Sequence, residues 1–267
     1  MLDFNLKGMQ ASAEFQIQQL AGGIDLAKDW RDFRDEVREI CDYFLTLSAA
    51  SIYVDVKPPM FFANVYRCAN NWLRFISTSQ GHYNKQPLLT YNTPLFAAII
   101  SNHHSLLSDI AKALPQTPTP KVEYADNFHL CWLHLLLAQN KCTLTTEVET
   151  HLNAYENSCD DTTKLNMFKA LLGLDDLTTN DFWPLFESAL QTYDDEIEAK
   201  STSVATSITK FIAHRYIWLE GLAFLHLVSV KGAATPISCI KYCPVEALKK
   251  MPDNFYSTDW LLVPFKP

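Results

Sequence analysis

The residues with the most chemical promise lie between 194 and 198, where Asp194-Asp195-Glu196-Ile197-Glu198 spells D-D-x-x-E. On a helix, carboxylates four residues apart converge on one face. Hard oxygen donors so placed can hold Mg²⁺ for diphosphate ionisation. A second cluster joins His129, Cys131, His134 and Cys142, with Cys131 and His134 on one helix face at i,i+3. Zinc ligands usually come in pairs at short, characteristic spacings. Here they interleave with Leu and Trp on an apolar helix, where a free cysteine behaves as a small hydrophobe, so a buried structural role is expected. Cys239 and Cys243 form C-x₃-C with no second pair, and the doublet His103-His104 points two ways on a helix. Neither H-E-x-x-H nor G-x-S-x-G occurs. The sequence therefore nominates no catalytic residue, no metal site and no cofactor.

The run at 194–198 resembles the aspartate-rich motif of all-helical terpene synthases. That family also carries a second metal-binding motif, N/D-D-x-x-S/T-x-x-x-E. The nearest stretch, Asn180-Asp181, has Pro184 and Ser188 at the deciding positions. A solvent-exposed acidic helix end explains the carboxylates more simply, and a Mg²⁺-dependent helical enzyme using Asp194, Asp195 and Glu198 ranks third among the functional readings.

Charge is unevenly distributed. Residues 144–199 hold thirteen acidic side chains against Lys164 and Lys169, a local balance of −11 in a chain of net −8. Solvated helix faces account for such a stretch as well as an electronegative surface that steers a basic partner. On the second reading the partner-binding residues are Asp175, Asp176, Asp181, Glu187, Asp194, Asp195, Glu196 and Glu198, with Trp183 or Tyr193 as anchors. Direct nucleic-acid binding is disfavoured, because phosphate recognition needs a basic stripe.

Seven glycines in 267 residues fall far below the usual share of about 7%. None forms a G-x-G or P-loop pattern, which argues against Rossmann enzymes and NTPases. Asp3 and the lack of an uninterrupted apolar run argue against a signal peptide. The most apolar stretch, 217–230, is interrupted by Glu220 and His226 and is too short to span a bilayer, so it reads as a buried core helix. Seven scattered cysteines do not form a disulfide framework. The expected compartment is reducing cytoplasm, with no membrane partner.

Helical periodicity runs through nearly the whole chain. It predicts helices over about 9–20, from near Asp25 onward, 61–77, 94–114, from Ala125, 145–157, 161–172, from Asn180 or Asp181 as cap, and 203–231 with Gly232 as the stop. A short extended piece is expected at 233–243 and a final helical turn or two at 244–250. The expectation is an all-α bundle of roughly 9–11 helices, as one domain or two packed lobes. The stiff segment PQTPTP marks a soft boundary near 115–120.

The C-terminal third reads SITKFIAHRYIWLEGLAFLHLVSVKGAATPISCIKYCPVEAL over 207–248. An apolar helix with Leu219-Glu220-Gly221-Leu222-Ala223 ends at Lys231-Gly232 and is followed by Tyr242-x-Pro244-x-x-x-Leu248. This resembles the end of the immunity protein 49 family, and the Phe182–Tyr193 helix fits the same arrangement. Departures are Cys243 in place of an aliphatic residue and one extra residue before Leu248. Tyr216-x-Trp218-x-Glu220 is also similar to helical immunity proteins against PoNe-type DNase toxins. Either resemblance implies a bacterial protein that binds a secreted antibacterial toxin in the producer's cytoplasm and blocks it by occlusion, with no catalytic residues. A helical scaffold or adaptor for another protein is the second reading.

Overall fold

Between Asp29 and Gly81 the apolar spacing builds the first pair of long helices. A computed structural model describes residues 2–20, 22–202, 211–233, 240–249 and 263–266. Ten α-helices among the described residues make it an all-α multi-helix bundle, 69% helical. Helix α1 spans Leu2–Leu20, α2 Trp30–Tyr53 and α3 Pro58–Gly81. Asp29 caps α2 by accepting from the Arg31 amide at 2.8 Å. That cap, with Ile24–Asp25 drawn into a strand, starts the helix five residues later than the periodicity suggests. The stripe Phe33, Val37, Ile40, Cys41 and Phe44 is buried against α3, where Phe75 meets Phe33 at 5.4 Å and Ser79 accepts from the Trp30 indole at 3.0 Å. Each such aromatic side chain contributes about 1.5–3 kcal/mol on full burial.

The single helix expected over 94–114 is two: α4, Thr93–Ser101, and α5, His104–Ala113. Asn102 adopts a left-handed conformation (φ 54°), which ends α4, and the His103 ring accepts from the Leu106 amide to start α5. The histidine doublet thus straddles a helix break.

Helix α6, Ala125–Gln139, is almost wholly buried and packs against α4, α5, α7 (Thr146–Glu156) and the last long helix, α10 (Leu219–Lys231). Packing spans the Pro115–Pro120 segment: Leu114 is buried, and the Trp132 indole donates to the Pro115 carbonyl at 3.1 Å. Helix α8, Thr162–Leu172, ends at Gly173 in the left-handed region, as α10 does at Gly232. Helix α9, Phe182–Thr202, packs on α8.

The long helix expected over 203–231 is not continuous. Residues 203–210 lie outside the described chain. A single 3₁₀ turn occupies Ala213–Arg215, and Trp218 is extended before α10 begins at Leu219. Two contacts force this. The Trp218 amide donates to the Tyr242 carbonyl at 2.8 Å, and its ring lies so close to Gly221 that any Cβ there would sit 2.1 Å from it. Val245–Leu248 forms the expected last turn, as a 3₁₀ helix, while most of the extended piece expected at 233–243 falls on residues 234–239, outside the description.

Periodicity gives no hint of the parallel pairing of Ile24–Asp25 (β1) with Phe265–Lys266 (β2). It ties the chain end to the α1–α2 link. Gly23 (φ 99°) is needed there, because a side chain would meet the Pro264 carbonyl at 3.0 Å. The Arg74 guanidinium donates to the Val263 carbonyl at 2.7 Å and lies 4.3 Å from the Phe265 ring centroid.

Candidate functional site

Helix α9 carries the acidic run and closes a pocket, with Glu196 belonging to both. Phe182, Phe186, Ala189 and Ile197 are buried, which fixes the helix rotation. Tyr193, half-buried, stacks on Trp218 at 5.2 Å, and its hydroxyl donates to the His214 carbonyl at 2.7 Å. Trp183 is half-buried against Phe182 and Phe186. Both aromatic anchors proposed from sequence are therefore partly built into the fold.

The acids do not form one constellation. Asp175 pairs with Lys169 at 2.8 Å, and Lys169 also holds Glu156 at 2.7 Å. Asp181 bonds back to the Thr178 amide and hydroxyl at 2.8 and 2.7 Å, which depresses its pKa. It thereby fixes the turn before α9. Asp194 accepts from Lys241 through both oxygens at 2.6 Å and from the Tyr242 hydroxyl at 2.6 Å, and these bonds lower its pKa. Asp195 accepts from Gln191 at 2.8 Å, and Glu196 pairs with Lys200 at 3.1 Å. Asp176, Glu187 and Glu198 are exposed and have no ion-pair partner among the described residues. From Asp181 to Glu198 the rise along the helix is about 26 Å, so the set is a strip.

This bears on the D-D-x-x-E pattern directly. The ammonium of Lys241 occupies the position between Asp194's oxygens that a dication would need. The His/Cys cluster is likewise dispersed. His134 is enclosed by Phe96, Phe168 and Phe224 at 5.0, 4.9 and 4.3 Å, and burial pushes its pKa down to about 4. The Cys131 thiol faces the Leu89 carbonyl and the Cys142 thiol that of Leu227. His129 instead meets His151, Nδ1 to Nδ1, at 3.0 Å. Among the described residues no group of three or more His, Cys, Asp or Glu side chains is placed to hold a metal ion. Cys239 of the C-x₃-C pair lies outside the description, and Cys243 is buried.

A cavity of about 260 Å³ opens beside α9. Its walls come from the start of α4 (Asn92, Thr93), the start of α8 (Asp161, Lys164), α9 (Thr192, Tyr193, Glu196, Lys200) and the start of α10 (Trp218, Leu219, Glu220), with Phe96, Phe211 and His214 completing the apolar side. Lys164 and Glu220 form an ion pair at 2.8 Å with little exposure. Burial opposes the lysine's charge, but Glu220, with Glu196 and Asp161, more than offsets it and holds the pKa above the usual value. Only one Glu220 oxygen is bonded; Oε1 is buried without a hydrogen-bond partner among the described residues. His214 is held neutral, its pKa pushed down to about 4 by burial and then by Lys200.

No protein-family model, curated protein or solved structure matches the chain. The likeness of the C-terminal third to immunity proteins thus rests on the residues quoted for it. No helix among the described residues is long and apolar enough to cross a membrane.

Of the predicted partner residues, the carboxylate Glu196 and the anchor Tyr193 reach this cavity. Periodicity did not nominate Lys164, His214 or Glu220. Two of them carry a signal in hindsight: Lys164 is one of two bases in the acidic stretch, and Glu220 interrupts the most apolar stretch of the chain.

Proposed function

We propose that the chain is an immunity protein, binding a cognate antibacterial toxin in the producer's cytoplasm and neutralising it by occlusion. The observation that carries this reading is the acidic strip along the α8–α9 link and α9, in which Asp176, Glu187 and Glu198 are exposed and unpaired among the described residues. Carboxylates with no internal cation present their full field to an approaching basic surface, such as that of a nuclease. Anchoring by Phe182, Phe186 and Ile197 holds Glu187 and Glu198 on a rigid helix, which limits the ordering cost of binding. The C-terminal resemblance supports the same role. A durable complex would bury on the order of 1,200–2,000 Å², of which this strip supplies one part.

The test is association kinetics with the purified product of the neighbouring toxin gene. Reversing Asp176, Glu187 and Glu198 to Lys leaves every ion pair described above intact. It should slow association by about tenfold or more and flatten its salt dependence. An unchanged rate constant would remove the strip from the interface.

A further inference from the structure

The cavity beside α9 is unlike the strip above it. It holds groups of both signs together with aromatic walls, and this combination defines a ligand. Three helices begin at its edge, at Thr93, Thr162 and Leu219. The amides of a helix's first turn lack intrahelical acceptors and carry partial positive charge. Neither α4 nor α10 has a side-chain cap: the Asn92 amide group is turned away to Asn127 at 3.1 Å, and Trp218 has no capping oxygen. Lys164 and Lys200 add two ammonium groups. Against these stand Glu220, with one buried oxygen lacking a partner among the described residues, and Glu196 and Asp161. The aromatic part of the lining is Phe96, Tyr193, Phe211 and Trp218.

We infer that this cavity binds a small zwitterion with an apolar side chain, a free α-amino acid such as phenylalanine or leucine. Its carboxylate is met by Lys164, Lys200 and the uncapped helix starts, and its ammonium by Glu220 and Glu196. The size agrees. Sites for drug-sized ligands run from about 300 to 1,000 Å³, so about 260 Å³ admits only a compact molecule. The charge balance agrees as well. A lone anion would meet three carboxylates and a lone cation two ammoniums and the two uncapped helix starts, whereas a zwitterion satisfies both sets. Neutral His214 places no further charge in the wall. This site is independent of toxin binding, and either reading can fail without the other.

The experiment is calorimetric titration and thermal shift of the full chain with L-phenylalanine, L-leucine, phenethylamine and 3-phenylpropionate. The two amino acids are expected to bind and raise Tm, and the analogues lacking one charge to bind at least tenfold more weakly. Glu220→Gln should weaken L-phenylalanine at least tenfold. Because that change disturbs a buried pair, Thr192→Trp at the exposed rim is the second variant, expected to abolish binding in a folded protein. No binding by either amino acid, equal binding of the single-charge analogues, or full binding by Thr192→Trp would overturn the proposal.

Discussion

At the scale of single residues, histidines and one glycine carry most of the consequences. His134, His151, His214 and His226 are each pushed down to about 4, first by burial. Their unfolded values lie near 6.5. Between those limits the unfolded chain binds more protons than the fold, so the histidines' contribution to stability must fall as pH drops from about 6.5 to 4 and level off below. Urea midpoints at pH 7.0 and 5.0 should therefore differ, the acid value being lower. His134→Leu, which removes one of these groups from the aromatic cage, should reduce that difference, and a pH-independent midpoint would contradict the assignment. Gly221 is the second point. A methyl group there would collide with the Trp218 ring at 2.1 Å, so Gly221→Ala should destabilise by about 1–3 kcal/mol through forced repacking. An unchanged denaturation midpoint would refute the close contact. Neither feature is legible in sequence, because a histidine's burial and a glycine's neighbour are set by chain segments far from it.

Among the elements, spacing located most helices and missed their interruptions. The stripe from Phe33 to Phe44 and the uniformly apolar α6 are visible as periodicity, since each face needs only one kind of neighbour. The break at Asn102 is not, because Ile100, Leu106 and Leu107 keep an apolar rhythm across it. What decides it is a left-handed residue followed by the His103 cap. Asn102→Val should cost about 1–2 kcal/mol, the penalty of a side chain in that conformation, whereas Asn102→Gly should cost nothing. If both variants melt with the wild type, α4 and α5 are joined differently. The start of α10 was misplaced for a comparable reason: Trp218 is committed to Tyr242, 24 residues away, and no local pattern records this. The β1–β2 tie is a long-range pairing of two residues on each side.

For the whole molecule, helical class follows from scarce glycine and pervasive 3.6-residue periodicity, and the bundle agrees. The proposed partner surface is legible in the sequence only as a charge excess. Folding sorts those acids into internal braces, such as Asp181 at Thr178 and Asp194 at Lys241, and carboxylates without an ion-pair partner among the described residues, such as Glu187 and Glu198. Composition cannot make that distinction, because it depends on which cations the tertiary fold brings alongside. The cavity was illegible because its lining comes from four segments far apart in the sequence, 92–96, 161–164, 189–200 and 211–220. The central claim is neutralisation of a toxin by a stable complex. It is tested most directly by co-expressing the chain with the toxin-like product of the adjacent reading frame, scoring host survival and co-purification. The account predicts survival and a complex that stays together through gel filtration. Death of the host despite abundant folded chain, with no complex recovered, would contradict it.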